Sequence, residues 1–349
     1  MKKNLSLIFF ILLLTQQAIA LESHVRVRIL EKYHPTYIQI SYEKSIYEFE
    51  KIDLNSSFPV SFPTETCYTI SIPEAGLKRD YKGSLTLLKE DNELLIINRV
   101  PMESYVASVV LSEMGPAPPE AMCAQAVISR TWAMGHINEK ARYDFNDLTS
   151  SQSYQGYSSY VKGTLTTISK TEGEILTYRG DTAKILFHAQ CSDRIYSAYE
   201  IWGKTKIPYL VSTPLPPESK HKSQPDSWTV TIPKSRVDDL MLHSNSRNQK
   251  LFYKVERLNG LIQINTGRTR MPIDTFRLAV NQKLGWNKLR SNDFTITQKG
   301  NDLIFSGKGF GHLVGLCQKE AGNLAQNDWQ YGEILALFYP GTIIIDSGR

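Results

Sequence analysis

Glu113 closes an apolar run, Val109-Val110-Leu111-Ser112-Glu113-Met114. It stands ahead of a proline-started, alanine-rich stretch, Pro118-Pro119-Glu120-Ala121-Met122-Cys123-Ala124-Gln125-Ala126. Apolar surroundings disfavour the ionised form of a carboxyl group and raise its pKa, which suits a general acid. A residue near a helix end has a second reading, as a solvated or capping acid. A two-carboxylate glycosidase would need a partner about 5–9.5 Å away. Glu103 is a poor partner, because ten residues of helix span about 15 Å. Glu120, Asp144 and Asp147 remain open. One carboxylate is enough where the nucleophile belongs to the substrate, because intramolecular attack avoids recruiting a water.

Two later segments carry polar and metal-binding residue types. Phe187-His188-Ala189-Gln190-Cys191 contains a His-x-x-Cys pair, half of a zinc set. A structural zinc needs four ligands. No second pair lies close in the sequence, and His312 and Cys317 could join only through folding. The expectation is therefore no bound metal and no cofactor, with His188 hydrogen-bonding substrate or backbone. Gly309-Phe310-Gly311-His312-Leu313-Val314-Gly315-Leu316-Cys317-Gln318 has glycines spaced for tight turns and close backbone approach. It lacks the lysine and hydroxyl of a phosphate loop. His312 there is a candidate sugar contact or part of a packed turn. Trp202 and Tyr209 offer aromatic faces for sugars or for a core. The four cysteines, Cys67, Cys123, Cys191 and Cys317, allow three full pairings. Cys191 and Cys317 are the candidate pair, and Cys123 reads as a small buried hydrophobe.

The elements that must position these residues follow from period and punctuation. Lys2-Lys3, an apolar run from Leu5 to Leu14 and Ala18-Ile19-Ala20 read as a secretory signal peptide cut near Ala20, and hence a secreted or periplasmic protein. The remaining chain is ample for a large core. Residues 21–80 form a strand-rich N-terminal region, with period-two alternation in His24–Leu30 and Tyr37–Tyr42. Residues 81–349 form a second domain, which carries all the candidate residues above except Cys67. It opens on a hairpin at 81–98 that turns near Asp91-Asn92. Residues 102–142 read as helical, with one helix after Pro101 and a second from Pro118-Pro119. Residues 143–170 are polar, 173–178 and 183–188 read as strands, and 214–226 are a proline-rich loop. Short strands fill 228–305, interrupted by a helix at Ile273–Leu284. A last helix lies near Gln318–Asn327. Strands, then helices, then strands predict an α+β fold. The formal charge of +5, with no Lys/Arg-rich run, does not argue for nucleic acid.

Together these segments resemble the SpoIID/LytB family, the stage II sporulation protein D-like peptidoglycan lytic transglycosylases. The resemblance rests on Val100-Pro101-Met102-Glu103-Ser104-Tyr105-Val106, Ser112-Glu113-Met114, Ala124-Gln125-Ala126 and Arg130-Thr131. Further matches are Tyr143-Asp144, Ser151-Gln152-Ser153-Tyr154-Gln155-Gly156, Trp202-Gly203 with Pro208-Tyr209-Leu210, Arg290-Ser291 with Phe294, Gly309–Gln318 and Tyr339-Pro340-Gly341-Thr342. It implies cleavage of the β-1,4 bond from N-acetylmuramic acid to N-acetylglucosamine. The 6-hydroxyl of the muramic acid attacks its own anomeric carbon and leaves a 1,6-anhydro end. The family's catalytic acid carries over to Glu113. Gln125, Arg130, Tyr154, His188, Trp202, Tyr209, His312 and Gln318 become candidates for groove contacts or groove structure, Arg130 alternatively for a structural ion pair. The implied partners are glycan strands lacking stem peptides, and an amidase or other cell-wall hydrolase. The family name also covers non-catalytic amidase enhancers. The chain departs from the family pattern at Cys191-Ser192-Asp193-Arg194-Ile195, where Ser-Gly-Gly-x-Thr is usual, and at Leu313, where glycine is usual. Some relatives bind zinc through paired His and Cys residues near the first histidine, of which only His188 and Cys191 stand here.

Overall fold

The computed structural model describes residues 23–50, 59–90, 93–148, 150–203, 206–217, 227–241 and 251–348. The expected signal peptide, the Asp91-Asn92 turn and most of the 214–226 loop lie outside the described residues.

Alternation builds the first layer. Strands β1 (His24–Arg28), β2 (Tyr37–Tyr42), β3 (Ser45–Glu50), β4 (Val60–Ile72), β5 (Leu77–Glu90), β6 (Glu93–Pro101) and β7 (Phe145–Asn146) form one sheet in the order β3-β2-β4-β5-β6-β1-β7. Every second residue of β1, Val25 and Val27, is fully buried, as a half-buried strand requires. The predicted hairpin is β5–β6, paired from Ser84↔Arg99 to Glu90↔Glu93.

Helix α1 (Met102–Met114) leaves the end of β6 and stops at Gly115, whose φ is 66°. Helix α2 (Pro119–Met134) begins on proline, as expected, but ends at Gly135, short of residue 142. The next residues turn outward instead, where the Asp144 carboxylate accepts the Asn138 N–H. Helix α3 (Ser159–Ile168) occupies part of the stretch read as polar. The Ser158 hydroxyl caps it by accepting the Val161 N–H, and Val161, Thr164 and Ile168 are buried on one face.

The second half is built of short pieces. Strands β8 (Glu174–Tyr178) and β9 (Asp181–Thr182) join a strand from the chain end. Strand β10 (Phe187–His188) is all that remains of the strand read at 183–188. There the ladder is replaced by other partners: the Lys184 N–H donates to the Tyr209 hydroxyl, and the Leu186 carbonyl accepts from the Tyr339 hydroxyl and the Leu316 N–H. Next come β11 (Arg194–Ile195), α4 (Ala198–Trp202), β12 (Thr213–Pro214), β13 (Ser227–Pro233), α5 (Lys234–Met241), β14 (Lys254–Leu258), β15 (Leu261–Asn265), β16 (Arg270–Pro272) and α6 (Ile273–Leu284). Helix α6 has the predicted bounds. The chain closes with β17 (Asp293–Lys299), β18 (Asp302–Lys308), β19 (Leu316–Cys317), α7 (Gln318–Ala325), α8 (Tyr331–Phe338) and β20 (Ile343–Asp346). β13-β18-β17 and β14-β15-β16 are three-stranded sheets, β20 pairs with β8, and β10 lies parallel to β19. The fold is α+β, with strand-rich N- and C-terminal parts around central helices.

Among the described residues two large hydrophobic cores form, with α2 between them, and a small third cluster gathers Leu88, Leu95 and Ile97. Helix α2 packs Met122, Ala126 and Ala133 into the N-terminal core. Its Ala121, Ala124, Val127 and Ile128 pack into the C-terminal core. The helix is buried almost all round, Gln125, Ser129, Arg130 and Thr131 included, and the alanines let both cores come close.

Candidate active site

Glu113 sits on the last turn of α1, half-buried. Its Oε1 accepts the Ser153 N–H at 2.7 Å. Burial raises its pKa above the usual carboxylate value, and the Ser153 N–H opposes that only in part. The segment that supplies this donor is strapped down. The Tyr105 hydroxyl donates to Gln152 Oε1 at 3.0 Å, and the Gln155 N–H donates to the Ser108 hydroxyl at 3.3 Å. Gly156, with φ 83°, lies so close to β5 that an added Cβ would meet the Asp80 carbonyl oxygen at 2.2 Å.

Glu113 opens onto a cleft of about 340 Å³ shared with Met114, Pro116, Ala117, Pro118, Ala189, Gln318, Lys319, Gly322, Asn323 and Gln326. Pockets of this size take small ligands or part of a polymer. Residues 319, 322, 323 and 326 lie along one face of α7, and that spacing was the available signal for them. The sequence reading named only Glu113 and Gln318 of this lining.

Ala189 and the α7 residues form the far wall, and behind them backbone crosses backbone. Gln190 and Phe310 exchange N–H···O bonds of 3.1 and 2.7 Å, and the Lys319 N–H donates to the Ala189 carbonyl at 3.1 Å. Glycine is required at this crossing. A Cβ on Gly315 (φ 70°) would lie 1.9 Å from the Leu186 carbonyl oxygen, and one on Gly311 (φ 107°) would lie 2.9 Å from His188 Cβ. Leu313, fully buried, also holds a left-handed φ of 69°, a backbone conformation that strains a residue with a Cβ.

The remaining candidates divide between cleft and frame. Gln318 lines the cleft, and its Nε2 donates to Gln125 Oε1 at 3.5 Å behind it. Gln125 is fully buried and bonds Ser129. Arg130 is 1 % exposed, with Nε and Nη2 on the Glu103 carboxylate at 2.7 and 2.5 Å and Nη1 on the Glu174 carbonyl. It is the structural ion pair, not a groove contact. Tyr154 is a core residue whose hydroxyl donates to Asn98 Oδ1 at 2.7 Å. Tyr209 is buried against Tyr178 and receives the Lys184 N–H. Half-buried Trp202 donates to Asp274 Oδ2 at 2.8 Å and lies 5.5 Å, ring to ring, from His312. His312 accepts the Val314 N–H on Nδ1. Burial, with neighbouring His188, pushes its pKa down to about 3, so the ring is neutral.

His188 is buried beside Cys191 and Cys317, and one donor atom from each of the three lies within 4.8 Å of the others. The two cysteines are unbonded to each other, as are the buried Cys123 and the exposed Cys67. The Cys191 N–H donates to the Cys317 sulfur at 2.9 Å. Burial alone would push the Cys317 thiol up, but the Cys191 thiol and the His188 ring beside it bring it well below the usual range, while Cys191 is pushed up. The expectation of no metal rested on the isolation of His188 and Cys191 in the sequence. In the fold the parallel β10–β19 pair brings a third donor to them.

Residues 90–178 match the family described as Stage II sporulation protein, SpoIID. Over a longer range the chain is 30% identical, across 278 residues, to an uncharacterized protein of Brachyspira hyodysenteriae, covering 77% of this chain and 73% of that protein. The chain belongs to the SpoIID family. It is 26% identical over 271 residues to stage II sporulation protein D of Bacillus subtilis, spanning 72% of this chain and 76% of that one. It is 22% identical over 274 residues to the amidase enhancer of Bacillus subtilis, of which it covers 38%. The matched SpoIID segment holds α1, α2 and the strap that carries Ser153, the Glu113 side of the cleft. The far wall lies beyond it.

Proposed function

We propose that the protein is an extracytoplasmic lytic transglycosylase that cleaves peptidoglycan glycan strands lacking stem peptides, with Glu113 as general acid and then general base. SpoIID membership and the likeness to an amidase enhancer support a role at the cell wall. The observation that carries the catalytic reading is that Glu113 is a half-buried acid at a cleft, while the other candidate carboxylates are committed elsewhere. Glu103 is held by Arg130, and Glu120 by Lys170 and the Tyr331 N–H. Asp144 pairs with Arg26 at 2.8 Å, and Asp147 accepts the Leu30 N–H at 2.7 Å.

A single acid can run the reaction in two steps. Protonated Glu113 gives its proton to the glycosidic oxygen as the bond to the anomeric carbon of N-acetylmuramic acid breaks, and the electron pair leaves with that oxygen. The resulting carboxylate takes the proton of the same sugar's 6-hydroxyl as that oxygen bonds the anomeric carbon. A 1,6-anhydro end forms, Glu113 is again protonated, and no water is consumed. The attack is intramolecular, so it needs only a positioned sugar.

The likeness to an amidase enhancer favours a second reading, a wall-binding protein that stimulates an amidase without cutting glycan. Mass spectrometry of strands incubated with the purified protein separates the cases. The transglycosylase leaves ends one water lighter than a muramidase does, and a binder leaves the strands intact. Intact strands, or reducing ends alone, would overturn the proposal.

A further inference from the structure

Behind the cleft a second cluster of reactive side chains, His188, Cys191 and Cys317, lies buried. We propose that His188 Nε2, Cys191 Sγ and Cys317 Sγ bind one zinc ion, as a buried clamp between β10 and the glycine-rich turn.

Geometry brings the set together. The donors come from segments 126 residues apart and lie within 4.8 Å of one another. Bonds of about 2.0–2.3 Å would set donors of a tetrahedral ion roughly 3.3–3.8 Å apart, so small side-chain adjustments close the site. The histidine is already arranged as a ligand. Its Nδ1 lies 3.2 Å from the Val314 carbonyl, an N–H···O bond that fixes the tautomer and leaves Nε2 with its lone pair. That Nε2 is buried and has no hydrogen-bond partner among the described residues. Such a buried nitrogen is costly unless something occupies it.

The donor types select the ion. Two thiolates and an imidazole suit zinc and not magnesium or calcium. The three donors leave a fourth position open, and Glu320, buried on the first turn of α7 with Oε2 accepting from the Asn323 amide, would have to turn toward it to fill it. Binding releases the thiol protons to solvent. The ion has a positional effect: Ala189 and Gln318, next in sequence to its ligands, line the cleft with Glu113.

The test uses the full chain, produced with added zinc and purified under reducing conditions. Elemental analysis should find one zinc per chain. Replacement by cobalt(II) should give thiolate-to-metal charge-transfer absorption and the visible bands of a tetrahedral ion. Cys317→Ser and His188→Ala should lose the metal, and Cys123→Ser should keep it. Chelator should lower the Tm of the parent protein and leave that of Cys317→Ser unchanged. A folded protein that stays metal-free with all thiols reduced would overturn the proposal, as would a Cys191–Cys317 disulfide recovered by peptide mapping from metal-free protein. The zinc and cobalt readings on the parent chain need no variant to fold. None of these readouts depends on glycan cleavage, so the clamp and the catalytic proposal can fail separately.

Discussion

The two walls of the cleft are built on opposite principles. The Glu113 wall is a helix end and a proline turn that leads into a second helix, with the carboxylate held by one backbone N–H. The far wall shows Ala189 and one face of α7 to the cleft and is carried by an aperiodic frame, in which glycines admit one backbone against another beside a histidine and two sulfurs. The Glu113 carboxylate accepts one hydrogen bond from the backbone, whereas the frame behind Ala189 and Gln318 is locked by backbone bonds throughout. The cleft joins one titratable group to one rigid frame.

The sharpest break in this contrast is Glu113→Gln. It keeps the shape and removes the proton, so glycan cleavage should fall by about 10²–10⁴-fold while Tm and glycan binding hold. Near-normal turnover by the folded variant would take Glu113 out of the mechanism. Next in size is Arg130→Met, which strips a buried charge of its partner and strands Glu103. A loss of about 3–5 kcal/mol in urea unfolding is expected. A shift in KM with unchanged stability would return Arg130 to the groove.

Leu313→Gly tests the locked frame. Losing a buried leucine costs about 2–5 kcal/mol and relieving the left-handed φ returns about 1–2, leaving a net loss of roughly 1–3 kcal/mol. A gain in stability would mean that strain outweighs packing there. The smallest effect is the pH dependence of stability. The folded pKa of Glu113 lies above its unfolded value of about 4.3, so its contribution is complete below that pH and is lost as pH rises through the folded value. The stability of the parent chain relative to Glu113→Gln should decline across that window. Cleavage should decline with it, since the acid must arrive protonated. Two parallel stability curves would mean an ordinary, solvated carboxylate.

What was legible in the sequence was what is periodic. The alternation in β1 and β2, the prolines that start α2 and the span of α6 all carry their own pattern. Helix α3 was missed because its Thr and Gly content hid a Ser158 cap and a buried stripe. The strand read at 183–188 shrank to two residues because two tyrosine hydroxyls and a distant backbone took the ladder's bonds, which no local pattern encodes. The site divides the same way. Glu113 stood out by its neighbours in sequence. Tyr154, Tyr209, Gln125 and Arg130 are polar in type but buried in place, and only the fold assigns them to the frame. The approach of Cys317 to His188 depends on a parallel pairing across the chain.

Helix α2 has a consequence for how the molecule can be divided. Because both cores close on it, the matched SpoIID stretch is no detachable module but the party wall of two rooms. A chain cut after β8 would expose Ala121, Ala124, Val127 and Ile128 together, and a chain begun after α2 would lack one side of its interior. Heat or denaturant should therefore take both halves apart in one cooperative step.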